Sequence, residues 1–361
     1  MERQRREFLR TMSTAAVLPA LAPILKAAAE TGSAEDPAAF PAAASRDIRA
    51  HFTMLKESVN GQPLVYLDSA ATTQRPREVV DALSKFYLHD NANPAKSLHP
   101  LAGRSAAAYD AARGKAARFL NARGPEKIVW TRGTTEAINL VAASWGGANL
   151  GPGDEVLVTV SDHYSNLVPW QLATRRVNAT LRVLDVSDDG RFQLDALLSK
   201  RTKLVTFPHV SNVLGRINPA RDICEHAHRA GALVLVDAAQ SVPHFPVDVQ
   251  DLNCDFLALS GHKMCGPMGL GVLWARRELL DVMPPFQAGS NMTHDVEIAS
   301  ATTEFAEGGL KFEAGTPNVS GAVGLAAAIA FLESFDRKGL WERVANRSKS
   351  SGRTELHPRG N

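Results

Sequence analysis

Only three cysteines occur in the 361 residues, too few for a disulfide framework in a chain of this size. Neither charge sign is in excess: Lys+Arg 40 stands against Asp+Glu 38, which gives nucleic-acid binding no electrostatic support. Collagen, coiled-coil and multi-span membrane architectures fail on composition. What is present is ordinary for a globular protein, with 45% hydrophobic and 22% charged residues. A chain this long buries a sizeable core and suits one large and one smaller domain.

The N-terminus has the organisation of an address. Residues 3 to 10 are Arg-Gln-Arg-Arg-Glu-Phe-Leu-Arg. A short apolar stretch follows, Met12 to Leu25, interrupted by Pro19 and Pro23 and closed by Lys26 and Ala27-Ala28-Ala29. That order of charged, apolar and small residues is the pattern of an export signal, and it is too short to span a bilayer. Arg5-Arg6 followed by Phe8-Leu9 resembles a twin-arginine signal, so residues 1–29 are expected to direct export to the periplasm. Residues 30–60 are expected to form a linker and N-terminal arm, rich at first in Ala, Pro and Ser.

The body alternates strand and helix patterns. Val156–Val160, Leu204–Phe207, Leu233–Val236, Phe256–Leu259 and Gly271–Trp274 are short apolar runs bounded by turn residues. Glu136–Ser144 and Pro219–Ala230 have helical patterns between them. The alternation predicts an α/β fold with a mostly parallel central sheet, which binds ligands at the carboxyl ends of its strands.

Those strand ends carry the chemistry. Asp237-Ala238-Ala239-Gln240 follows one strand, Ser260-Gly261-His262-Lys263 another, and Ser161-Asp162-His163 a third. Thr131-Arg132-Gly133-Thr134-Thr135 runs into a helix, where free N–H groups and the helix dipole favour an anion. An electron-sink cofactor of the pyridoxal type needs a lysine to form the imine and a carboxylate to hold the ring nitrogen protonated. It also needs a polar group at the ring phenolate and a phosphate cradle. Lys263, Asp237, Gln240 and Gly133-Thr134-Thr135 supply the four.

The sequence resembles the class V aminotransferases, fold type I pyridoxal-phosphate enzymes, and within them the cysteine desulfurase and selenocysteine lyase branch. The matching stretches include Tyr66–Thr73, Thr131–Asn139, Val168–Gln171, Val210–Gly215, Val236–Gln240, Ser260–Lys263 and Phe312–Asn318. The resemblance implies a large domain over 61–310 binding pyridoxal 5'-phosphate. The start of a small C-terminal α+β domain would follow over 311–361. It assigns the imine and later proton transfers to Lys263, and the ring nitrogen to Asp237. Gln240 takes the phenolate oxygen, and His163 stacks on the ring and moves protons. Thr134, Thr135, Ser260 and His262 match the phosphate cradle, and Asn212 an asparagine near cofactor and substrate carboxylate. Thr316 matches a threonine reaching a neighbouring subunit's phosphate, which implies a homodimer.

Departures from the family pattern bear on substrate more than cofactor. Ala95-Lys96-Ser97 stands where His-Arg-Gly is expected, Tyr164 replaces a second histidine, and a glycine-rich segment is Ala288-Gly289-Ser290. The family's sulfur-accepting cysteine and carboxylate-clamping arginine lie in the small domain, and no segment here matches them. The tail Arg347–Arg353 is expected to be solvated, as in a truncated end. Cys265 lies two residues after Lys263 with nothing to mark an activated thiolate, and Cys224 and Cys254 suit core positions. No metal site is expected, since His226 and His228 do not share a helix face. The expected activity is that of a lyase on L-cysteine or a related amino acid. The alternatives are transamination, epimerisation or another β-elimination, or a non-enzymatic remnant.

Overall fold

The computed structural model describes residues 48–94, 99–185, 192, 194 and 197–342, all within the unit Phe40–Asn361. The expected signal segment, the Ala95-Lys96-Ser97 replacement and the tail from Arg347 lie outside the described residues.

After two 3-10 turns at Ile48–His51 and Thr53–Lys56, the described residues form a hairpin, β1 (Ser58–Val59) and β2 (Gln62–Pro63), then α1 (Arg77–Lys85) and α2 (Pro100–Phe119). β3 (Ile128–Thr131), α3 (Thr134–Asn149), β4 (Glu155–Thr159), α4 (Tyr164–Arg176) and β5 (Thr180–Leu184) follow. Next come β6 (Thr202–Pro208), α5 (Ala220–Arg229), β7 (Leu233–Asp237), α6 (Val249–Leu252) and β8 (Phe256–Ser260). β9 (Gly271–Ala275) and α7 (Arg277–Val282) precede a second hairpin, β10 (Thr293–Glu297) with β11 (Thr302–Phe305), and α8 (Val319–Glu333).

Seven strands make one sheet in the order β3-β9-β8-β7-β6-β4-β5. The run from β5 to β8 is parallel, and β9 is antiparallel to both neighbours. The fold is therefore α/β with a mostly parallel sheet, and the five expected strands are found to within two residues. The reversal at β9 has a local cause. Gly261–Leu270 holds only one short 3-10 turn, and a parallel return needs a longer crossover, usually a helix. Because β9 runs against both neighbours, β3 points the same way as β8. The carboxyl ends of β3, β4, β6, β7 and β8 thus lie along one edge.

Alternation along each strand sorts the core to the two sheet faces. Val234, Val236, Leu257 and Leu259 pack with Ala116 of α2, Ile223 of α5 and Leu325 of α8. Leu235, Phe256 and Ala258 pack with Ile138 and Val141 of α3 and Trp170 of α4 on the opposite face. Helices on both faces leave the strand ends as the place where polar side chains can meet.

The expected division at 310–311 is crossed by a buried cluster. The Arg113 guanidinium on α2 donates to both Glu313 carboxylate oxygens at 2.7 Å. Tyr109 Oη and the Trp130 backbone N–H also donate to Glu313, at 2.8 and 2.7 Å. Every oxygen of this buried carboxylate has a donor, which is what makes a buried charge tolerable. The segment carrying Thr316 is thereby tied to α2 and β3.

Candidate active site

A cavity of about 490 Å³ opens at the carboxyl ends of the strands. Asp237, the last residue of β7, is buried in its wall. Its Oδ1 accepts from the Ala239 N–H at 3.0 Å. Burial pushes the carboxyl above its ordinary pKa, while that N–H, Lys263 and His163 pull the other way. A buried carboxylate in a cavity wall calls for a cation opposite it.

Lys263 closes the 3-10 turn after β8 and lines the same cavity. No hydrogen bond within the described residues ties its Nζ. Burial lowers the amine's pKa, and Asp237 opposes this. Part of its population is therefore neutral, and hence nucleophilic, at a lower pH than for an ordinary lysine.

His163 follows β4 and caps α4. The Ser165 N–H donates to its Nδ1 at 3.1 Å, so a neutral ring carries its proton on Nε2. Asn212, after β6, lines the cavity as well.

The anion cup adjoins this cavity. A second cavity of about 410 Å³ shares Thr134, Thr135, Ser260 and His262 with the first. α3 starts at Thr134 with no side-chain cap from Gly133. Ser260 Oγ accepts from the Thr134 N–H at 2.8 Å and shares a second bond of 2.8 Å with Thr134 Oγ1. Thr135 Oγ1 is 2.7 Å from Ser165 Oγ. Helix N–H groups and hydroxyls converge here, the donor set that binds a phosphate.

Two glycines make that convergence possible. Gly133 has φ +153°, and Gly271 approaches it so closely that a Cβ at 271 would lie 2.4 Å from Gly133 Cα and 2.5 Å from Leu259 O. Both contacts are backbone, so nothing can swing aside. Gly271→Ala is expected to destabilise the fold by roughly 3 kcal/mol, read as a lower denaturation midpoint in urea.

Two expected site residues stand back from the main cavity. Gln240 Nε2 donates to Ala70 O at 2.7 Å, so this amide reaches the cavity through the wall residue Ala70. Thr316 lines a separate cavity of about 320 Å³ with Arg132 and Glu136. The other expected residues, Lys263, His163, Thr134, Thr135, Asn212, Asp237, Ser260 and His262, all line the first.

Sequence reasoning gave no role to Asp162 or to the segment Tyr66–Thr73, an arm beyond the one expected over 30–60. Asp162 accepts from the Thr159 N–H at 2.6 Å and Asn166 Nδ2 at 2.8 Å. Burial, with Asp237 nearby, pushes its pKa up to about 8 against those hydrogen bonds. Asp68, Ala70 and Ala71 of the arm line the cavity.

None of the three cysteines is poised as a nucleophile. All are buried; burial pushes the Cys224 thiol up to about 12, Cys265 to about 11 and Cys254 well above its ordinary value. His228 Nε2 meets Asp255 at 2.7 Å while His226 Nδ1 meets the Asp222 carbonyl, so the two imidazoles serve different partners.

Comparison with known proteins identifies the family. The aminotransferase class-V family model matches residues 65–351. A probable cysteine desulfurase from Synechocystis is 50% identical over 81% of this chain and 70% of its own length. A cysteine desulfurase from Synechococcus elongatus is 51% identical over 81% of this chain, which spans about half (47%) of that relative. Among solved structures, the Escherichia coli cysteine desulfurase CsdA superposes with a TM-score of 0.76 at 39% identity. The match covers 87% of this chain and 76% of that one.

Proposed function

The chain belongs to the aminotransferase class-V family, and on that premise we propose that it removes sulfur from L-cysteine as a pyridoxal-phosphate enzyme. The observation that carries the reading is the single cavity joining Asp237, Lys263 and His163 to the cup at Thr134, Thr135 and Ser260. These residues fit the cofactor: a buried carboxyl for its ring nitrogen, an amine with no hydrogen bond among the described residues for its aldehyde, and a donor-rich helix start for its phosphate. When bound, the cofactor supplies an electron sink that stabilises negative charge at the substrate Cα.

The protein's part is to orient and to move protons. Asp237 would hold a proton at the ring nitrogen, where its burial makes an ion pair strong. Lys263, whose amine burial makes easier to deprotonate, would carry protons to and from Cα. His163 would help to line the bound cofactor's cavity, with its Nδ1 held by the Ser165 N–H. Replacing the C–S bond of cysteine by C–H gives alanine, and the sulfur passes to a thiol. Since Cys224, Cys254 and Cys265 are buried with raised thiol pKa values, the proposal assigns acceptance to none of them, and the assay supplies the accepting thiol.

The test is product identity with L-cysteine, pyridoxal phosphate and excess dithiol. Alanine and sulfide in equal amounts are expected. Pyruvate and ammonia would instead reveal β-elimination, a keto acid without sulfide would reveal transamination, and D-cysteine epimerisation. Absence of all products would overturn an enzymatic role on this substrate.

A homodimer belongs to the same proposal. Thr316 lies outside the Lys263 cavity of its own chain, as expected of a residue that serves a neighbour's phosphate. Export by the twin-arginine route is also proposed, from Arg5-Arg6 and from the advantage of loading a phosphorylated cofactor before translocation. Arg5-Arg6→Lys-Lys is expected to retain the protein in the cytoplasm; unchanged export on cell fractionation would contradict that route.

A further inference from the structure

We propose that Thr73 is a positioning residue whose hydroxyl holds closed the turn carrying Lys263, an inference that rests on the cofactor reading above. The turn is tight. Met264 N–H and Gly266 N–H both donate to Gly261 O, at 3.0 and 2.9 Å, so the backbone doubles back within five residues. Cys265 takes φ +65°, a left-handed conformation that a side-chain-bearing residue adopts only when its surroundings impose it.

What imposes it comes from some 190 residues earlier in the chain. Thr73 Oγ1 donates to His262 O at 3.0 Å and accepts from the Cys265 N–H at 2.8 Å. One hydroxyl thus bridges the residue before Lys263 and the second residue after it. The Thr73 N–H, at 2.9 Å, and Thr72 Oγ1, at 3.1 Å, reinforce the same His262 carbonyl. Such a bridge needs a group that gives one hydrogen bond and takes another, which threonine and serine have and valine lacks.

The arm has separate anchors. Tyr66 Oη donates to Thr72 O at 2.7 Å, and Gln240 Nε2 holds Ala70 O. Loss of the Thr73 hydroxyl therefore loosens the turn while the arm stays docked over the cavity. Lys263 Nζ has no hydrogen bond of its own within the described residues, so the backbone turn is what aims it. A loosened turn lets the amine reach solvent, which slows its reaction with the cofactor aldehyde and raises its pKa toward the ordinary lysine value.

The experiment compares the full chain with Thr73→Val and Thr73→Ser by two readouts. The first is hydrogen exchange of the Cys265 amide without cofactor. The second is the rate, as a function of pH, at which added pyridoxal phosphate develops its Lys263-dependent visible absorbance. Thr73→Val is expected to speed exchange about tenfold, slow the absorbance change about tenfold and move its pH midpoint upward. Thr73→Ser is expected to stay within about threefold of the parent on both. Parent-like exchange and midpoint in Thr73→Val would overturn the proposal, as would a Thr73→Ser variant no better than Thr73→Val. If the parent chain itself develops no absorbance, the cofactor reading fails, and the exchange rates alone decide the role of the Thr73 hydroxyl.

Discussion

Lys263→Ala is expected to lower turnover of L-cysteine by about 10⁴-fold or more, because among the described residues no other amine lines the cavity to replace it. The fold should survive. Nζ has no hydrogen bond to lose within the described residues, and burial already depresses the amine's pKa, so its charged form is costly in place. Alanine removes that cost. The prediction is a chain with unchanged or higher thermal midpoint in the absence of cofactor and no measurable alanine production. Turnover in the variant within tenfold of the parent would place the reacting amine elsewhere.

Asp237→Asn is expected to lower turnover by about 10²–10³-fold, while making the cofactor-free chain no less stable. An asparagine Oδ1 can still accept the Ala239 N–H, so the local turn persists. What it cannot do is hold a buried negative charge against the ring nitrogen. The pH dependence separates the two roles. The Asp237 carboxyl is raised in the folded chain by burial, so the folded state binds a proton more tightly there than the unfolded state does. Its contribution to stability without cofactor is therefore present at low pH and is lost as pH rises through the raised value. In Asp237→Asn that slope disappears. Urea midpoints across a pH series check it: equal slopes in parent and variant would mean that the carboxyl is not the strained group.

The sheet and most of the cavity wall were legible in the sequence because both are local patterns. Leu233–Val236 and Phe256–Leu259 are continuous apolar runs ending in Asp and Ser, and a parallel sheet puts such endings on one edge. The Gly133-Thr134-Thr135 start of α3 was legible for the same reason. What was not legible depends on distant partners. Nothing in Gly271–Ala275 announces an antiparallel strand; its direction follows from the short return after Ser260. Arg113 and Glu313 are 200 residues apart in sequence, and each alone suits a solvated surface. Thr73 belonged to a recognisable motif, but its partners His262 and Cys265 lie some 190 residues on. Gln240 carried the right chemistry at the right strand end, yet its amide is turned to Ala70.

The most direct measurement is where pyridoxal phosphate attaches. The purified chain, incubated with the cofactor and reduced with borohydride, is digested and mapped by mass spectrometry. One dominant modified peptide carrying Lys263, formed in competition with inorganic phosphate, is the expected result, since the amine and the cup at Thr134 and Ser260 belong to one cavity. Modification spread over surface lysines, with Lys263 unmarked and phosphate without effect, would contradict it.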